Sequence, residues 1–283
     1  CHGVAEVLIV FSDTDVDEDL DEGDAKDPPE DDGSAEDEDE EDGLSVSERL
    51  ELVNKNLGQK TSDSEIEDGD VMVPKSHVRK RNADQCTNKR CKWPRSKNKK
   101  VYVPYVIANH YSSAQQETIE QAFSFFANST CIRFVPRNKQ RDYLYIHSST
   151  GCWSYIGRQG NRQELSLKKD GCIYAGTIQH ELLHALGFHH EHKRSDRDKY
   201  IKVLWENIIK EVEHNFRKTR TLNLKTPYDY SSVMHYSSEA FSKNGKPTLV
   251  ARRPNVTFGR AKEMSSWDIE RVNRLNCKKS NLD

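Results

Sequence analysis

The sequence predicts an α+β protein whose folded part lies mainly beyond residue 81. Three observations carry that expectation. Charge is divided along the chain: residues 1–81 hold 27 Asp and Glu against 8 Lys and Arg, a net of −19, whereas residues 82–283 hold 19 against 35, a net of +16. Apolar residues in the second part recur with period two in some stretches and with helical period in others. Six of the seven cysteines also lie there. The overall −3 is therefore a cancellation, and the 34% hydrophobic fraction describes neither part. No apolar run reaches the roughly 18 residues of a membrane span, so no membrane partner is expected.

In chain order, Val4–Phe11 beside Cys1 reads either as the remnant of a secretory signal or as ordinary N-terminal chain. Asp13–Asp42 is almost continuous Asp and Glu. Such a run cannot bury enough apolar surface to offset its ordering entropy, and it is expected to be disordered. Leu44–Leu57 regains helical periodicity, with Leu50, Val53 and Leu57 on one face and Ser45 or Ser47 as N-cap. A short apolar stretch, Val71–Pro74, precedes the basic cluster Arg79-Lys80-Arg81 at the composition break, where a processing protease would find exposed chain. The expected segments are thus 1–43, 44–81 and 82–283.

Beyond the break, Val101–Ile107 alternates like a strand, and Ile132–Val135 and Tyr143–His147 read as two more. Ala114–Ser129 is expected as a helix burying Ile119, Ala122, Phe123 and Phe126. Ile178–Leu186 reads as a helix stopped by Gly187, Trp205–Lys218 as a long helix, and Ser265–Leu275 as another with a Ser265/Asp268 capping box. Cys86, Cys91, Cys131, Cys152, Cys172 and Cys277 are scattered without CxxC pairs. That pattern argues for disulfides in an oxidising compartment rather than a zinc cluster, and leaves 15 connectivities open. Sequons at Asn128 and Asn255 agree with secretion.

The chemistry concentrates in Thr177–Tyr200. His180 and His184, four apart on a helix, share one face and can ligate a single metal ion, with Glu181 placed as general base for a water on it. Gly187 permits the positive-φ turn that returns the chain, so that His190 reaches the same metal. Three neutral imidazoles with an open position describe a catalytic zinc, one per chain. His189 and His192 point elsewhere on this spacing and read as surface residues. Met234 in Ser232–Tyr236 lies 44 residues beyond His190, where a Met-turn would underlie the metal.

The stretches HELLHALGFHHEHKRSDRD, Trp205–Ile208 (WENI) and Tyr228–Tyr236 (YDYSSVMHY), with the spacing of Cys131, Cys152, Cys172 and Cys277, resemble the astacin family of zinc endopeptidases. The Cys86/Cys91 pair with KWP and VYVPYVIA resembles the fish hatching enzymes (choriolysins) within it. The resemblance implies a metzincin-type α+β domain, a mostly antiparallel-edged twisted sheet plus helices around an active-site cleft. It implies that His180, His184 and His190 bind Zn2+, that Glu181 activates water, and that Tyr236 is a fifth ligand that swings away to hydrogen-bond the oxyanion. Met234 would form the Met-turn, and Glu191 would pair with a new N-terminus at Asn82 after cleavage at Arg81. A buried Glu without a partner would be costly, which couples the two events. Val78 stands where a furin-type site needs Arg, so a trypsin-like activating protease is expected. The implied disulfides are Cys131–Cys277, Cys152–Cys172 and Cys86–Cys91. The family's FxGD pro-segment motif corresponds to Glu67-Asp68-Gly69-Asp70, with Glu67 where Phe is expected and Asp70 as the blocking zinc ligand.

The reading is a secreted, monomeric zymogen, stored outside the cell and acting on acidic extracellular matrix or egg-envelope protein. Secretion makes nucleic acid an improbable partner for the basic domain. The alternatives are a related astacin acting on other extracellular or dietary protein, an inactive binding module, and an acidic calcium-binding tract. The last lacks a DxDxDG-type loop with Glu at its twelfth position.

Overall fold

The computed structural model describes residues 43–55, 57, 64–74 and 91–278. The acidic run, the Arg81/Asn82 junction and Cys86 lie outside those residues, and with them the expected Cys86–Cys91 pair.

The sheet is built around β3 (Val101–Ile107), whose Val101 and Val103 are fully buried. It lies between β4 (Ile132–Pro136) and β5 (Tyr143–His147), both parallel to it. β7 (Arg162–Leu167) continues the parallel pairing beyond β5, and β6 (Cys152–Ser154) runs antiparallel to β7. An antiparallel hairpin, β1 (Ser64–Glu67) and β2 (Val71–Pro74), then adds to β6 through Val71 opposite Ser154. The seven-stranded order is β1-β2-β6-β7-β5-β3-β4. The α+β class expected from the sequence is present, with the antiparallel character confined to the β6 side. A two-stranded sheet, β8 (Ile201–Val203) with β9 (Leu249–Ala251), stands apart.

Three helices cover the sheet or close the site. α1 (Val46–Asn54) is capped by Ser45, in a reciprocal capping box with Glu48. Ser47 is used otherwise: its hydroxyl accepts from the Ser237 amide at 2.8 Å. α2 (Ser113–Ser129) buries the expected face, Ile119, Ala122, Phe123 and Phe126. α3 (Ala175–Ala185) begins three residues before the expected start and is buried along almost its whole length. Gly187 ends it at φ 107°, a conformation that a side chain would strain.

Trp205–Lys218 is not a long helix. It forms two 3-10 segments, Trp205–Asn207 and Lys210–Phe216. Its apolar residues serve different environments: Ile208 and Phe216 are buried in a second small core, while Trp205 and Ile209 face solvent. Tertiary packing overrides a weak local preference there. The last helix, α4 (Ser266–Val272), has the expected Ser265/Asp268 capping box. It widens into a π-turn over Asn273–Cys277, which brings Cys277 to Cys131.

Among the described residues two disulfides are formed, Cys131–Cys277 and Cys152–Cys172. The first spans a sequence separation of 146, a closure that contributes about 5 kcal/mol in the chain-entropy model. Asn128 and Asn255 are both exposed. Among the described residues, no helix is long and apolar enough to cross a membrane. The larger core holds α3, and the smaller gathers Tyr228, Tyr236 and Phe258. The site lies where they meet.

Candidate active site

α3 presents His180, Glu181 and His184 from one buried stretch, all less than 3% exposed. Each ligand imidazole on the helix is fixed by its far nitrogen: His180 Nδ1 donates to the Val233 carbonyl at 2.9 Å, and His184 Nδ1 donates to the Phe188 carbonyl at 2.7 Å. Those bonds set the tautomer and leave both Nε2 atoms as bare acceptors. The turn at Gly187 returns His190 so that its Nε2 stands 3.3 Å from His180 Nε2. Two lone pairs facing each other at that distance need a cation between them.

Asp70, on the β1–β2 turn, completes the cluster. Its Oδ2 lies 3.1 Å from His180 Nε2 and 3.2 Å from His190 Nε2, and its Oδ1 lies 3.4 Å from His184 Nε2. The four candidate ligand atoms fall within 4.8 Å of one another. Asp70 Oδ1 and His184 Nε2 have no hydrogen-bond partner although both are buried. An N₃O set converging on one point, two of its atoms without a partner, fits a single zinc ion. Burial works to raise the Asp70 carboxyl, yet the charges of His190 and His184 hold it well below the usual range. Burial depresses His184 to about 4, against the pull of Asp70, and lowers His190 likewise. Neutral imidazoles are the ligating form.

Glu181 is fully buried, and both carboxylate oxygens lack a partner. Burial, with the Asp70 charge added, pushes it well above the carboxylate range. A raised carboxyl beside a metal position can take and return a proton near neutral pH.

Met234 is buried, 3% exposed, in a turn pinned from α4. Asp268 accepts from the Ser232 hydroxyl at 2.6 Å and the Val233 amide at 2.9 Å, which aims the Val233 carbonyl at His180. The Met234 carbonyl accepts from the Glu191 amide at 2.8 Å, tying the turn to the third histidine. The Tyr236 hydroxyl donates to the Asp68 carbonyl, and burial pushes its phenol well above its ordinary range.

Two sequence expectations need correction. His192 is not a surface residue: it is fully buried, its ring stacked 3.8 Å from that of Tyr236. Its Nε2 donates to the Asn215 carbonyl at 3.1 Å, so it holds the tyrosine rather than facing water. Glu191 is not without a partner either. Arg271 meets it with two bonds of 2.9 Å, and the Asp229 amide donates at 2.7 Å. Burial still lifts its carboxyl to about 7, against Arg271 and Arg194. Any new ammonium would join an existing cluster.

The described residues between 43 and 74 pack against the histidine cluster and its surroundings. Asn54 bridges the hairpin and sheet, donating to Gly69 O at 3.0 Å and Cys152 O at 2.7 Å and accepting from the Cys152 amide at 2.9 Å. Gly69 adopts φ 82°, and a Cβ there would stand 2.9 Å from the Phe241 ring. Asp68 is gripped three ways: its amide donates to Asn215 Oδ1 at 2.9 Å, its carbonyl accepts from Tyr236, and its carboxylate pairs with Lys193. Sequence reasoning missed Lys193, Asn215, Asp68, Arg271 and the supporting role of Asp268. Only Asp268 carried a local signal, as a helix cap.

A family model described as Astacin, a peptidase family, matches residues 85–277. The low choriolytic enzyme of Oryzias latipes is 49% identical over 217 residues, which cover 76% of this chain and 79% of that protein. High choriolytic enzyme 1 of the same fish is 47% identical over 220 residues, 77% of this chain and 80% of its own. A solved structure of the latter, titled a hatching enzyme zinc-protease, matches with a TM-score of 0.66 at 49% identity, covering 70% of this chain and 100% of that one.

Proposed function

The chain belongs to the astacin family and is a zinc metalloendopeptidase, similar to fish hatching enzymes, and from that premise we propose a secreted zymogen whose mature form cleaves egg-envelope protein. The observation that carries the proposal is Asp70 seated among His180, His184 and His190. In this reading that carboxylate, from the segment before Arg81, would occupy the position an attacking water needs.

In this reading His180, His184 and His190 hold the zinc. Zinc so held polarises a scissile carbonyl and acidifies a water. Glu181 takes the proton of the attacking water and returns it to the leaving amine, the role its raised, unpaired carboxyl suits. Tyr236, freed from the Asp68 carbonyl, donates to the oxygen on which negative charge develops. Met234 supports the His180 side of the cluster from below.

Activation is cleavage after Arg81 by a trypsin-like protease, making Asn82 the mature N-terminus. Its ammonium would approach the cluster of Glu191, Arg271 and Arg194. Cys86–Cys91 would fix the first residues of the mature chain. The boundaries 44–81 and 82–283 separate the inhibitory segment from the enzyme. The two disulfides and the exposed sequon asparagines support an extracellular location.

The test is zymography of the trypsin-activated chain on isolated egg envelope, gelatin and casein, with and without a chelator. Chelator-sensitive solubilisation of the envelope supports the reading. Chelator-sensitive cleavage of the soluble proteins with the envelope untouched would reassign the enzyme to other extracellular or dietary protein. N-terminal sequencing of the active species should read from Asn82.

A further inference from the structure

We propose a second binding site on the catalytic domain, outside the zinc cleft: a basic groove beside the exposed indole of Trp205 that takes an acidic polysaccharide, one bearing sulfate or carboxylate groups on its sugars. The site stands apart from the peptidase reading, and its test needs no turnover.

The groove has a volume of about 450 Å³ and runs along β8 and the residue that follows β9. Arg197, Lys202, Arg217, Lys218 and Arg252 line it with Trp205, against one carboxylate, Asp198. Asp198 is already engaged, by Arg197 at 2.7 Å and Lys218 at 2.6 Å, so the wall does not meet its own excess of positive charge. Among the described residues none before residue 91 lines the groove. Departure of the described pro-segment residues therefore leaves its lining unchanged.

Two guanidinium groups are fixed in place. Arg197 is buried, and its Nη1 donates to the His192 carbonyl at 2.8 Å. Arg252 Nε donates to the Asp198 carbonyl at 2.6 Å, and its amide to the Tyr200 carbonyl at 2.7 Å. Guanidinium forks match sulfate and carboxylate with paired N–H bonds, and a pre-organised fork loses little freedom on forming them. Trp205 packs edge-on against Phe216, with ring centroids 6.4 Å apart, yet stays 43% exposed. A flat apolar surface among cations suits a sugar ring, apolar on one face and anionic at its edge. An acidic peptide would use the cations and leave the indole idle. Nucleic acid would use both, but the two disulfides and exposed sequon asparagines support an extracellular setting. Phe216 also meets Tyr236, at 6.0 Å, so one aromatic side chain separates the groove from the cleft. A glycoprotein held by its sugar would present neighbouring peptide to the zinc site at raised local concentration.

The experiment is calorimetric titration of the full chain, before and after trypsin, at low salt. The probes are a heparin hexasaccharide, a hyaluronan hexasaccharide and a polyglutamate of the same charge as the heparin fragment. At least one sugar should bind more tightly than polyglutamate, and which one does identifies sulfate or carboxylate as the recognised group. Trp205→Ala should weaken that sugar about tenfold and polyglutamate less than about twofold. Lys202→Gln with Arg217→Gln should weaken it about tenfold. Lys97→Gln with Lys139→Gln makes the same charge change at exposed positions outside the groove and should cost less than about twofold. Equal losses from the two pairs would reduce the binding to net charge and overturn the proposal. So would polyglutamate binding as tightly as both sugars, no binding of either sugar, or a single-stranded oligonucleotide binding more tightly than both through Trp205.

Discussion

Glu181 and Tyr236 are both buried, and the proposed mechanism asks different work of them. Glu181 moves a proton, so Glu181→Gln should keep the metal and lose about 10²- to 10⁴-fold or more in kcat. Zinc content by atomic absorption and turnover on a short peptide separate the two effects. A Gln variant that still turns over at the wild-type rate removes Glu181 from the mechanism. Tyr236 donates to charge that exists only in the transition state, so Tyr236→Phe should lower kcat by about 10²- to 10³-fold with KM little changed. A change in KM alone would demote it to lining the cleft. The three histidines were legible in the sequence because an i, i+4 spacing followed by glycine dictates geometry through the helix itself. His192 and Lys193 were not. Only two residues and one turn separate them from His190, yet their burial comes from Tyr236, Asn215 and Asp68, remote in sequence.

At the scale of elements, α1 and the β1–β2 hairpin act together as a plug. The hairpin extends the sheet past β6, while α1 covers the sheet edge and holds Ser237 through Ser47 and Glu51. Asp70→Ala in the intact chain should therefore release peptide hydrolysis only in part, since Asn54, Asp68 and α1 still occupy the cleft. Basal turnover before and after trypsin measures the fraction. α1 also carries a pH dependence. Burial raises the Glu51 carboxyl from 4.5 to about 7, although the Ser237 and Ser47 hydroxyls pull it down. The docked state thus holds a proton more tightly than the undocked one. Docking is strongest below the undocked value and weakens as pH rises through about 7. Trypsin sensitivity of the pro-segment should increase from about pH 4.5 to about 7, level off above that, and show no such rise in Glu51→Gln. No change across that range in the wild type would show that Glu51 titrates alike docked and free. The helix was legible from its serine N-cap candidates and its Leu50 face. The hairpin was seen only as a short apolar stretch, because four-residue strands gain their identity from the edge they join. The misread Trp205–Lys218 segment fails for a related reason: its apolar residues are spaced for a helix but divided between core and solvent.

The whole molecule is electrically two-sided, with −19 on residues 1–81 and +16 on residues 82–283. That asymmetry was fully legible in the sequence, since counting charges needs no fold. A net of +16 on a catalytic domain of this size favours acidic surfaces and speeds association with them at low salt. On the intact chain the acidic run offsets that field without any specific pairing, over distances set by the Debye length of about 8 Å at physiological salt. The zymogen should therefore adsorb weakly to an anionic matrix and the mature enzyme strongly, with the difference fading as salt rises. The proposed blocking of the zinc position by Asp70 would be a separate, short-range effect, so the two can be uncoupled. Replacing the Asp and Glu of residues 13–42 with Asn and Gln should raise adsorption to heparin resin while leaving peptide hydrolysis latent. Asp70→Ala should raise hydrolysis while leaving adsorption weak. An intact zymogen that binds the resin at low salt as tightly as the mature enzyme would show that the acidic run does not screen the basic domain, and that its charge serves solubility alone.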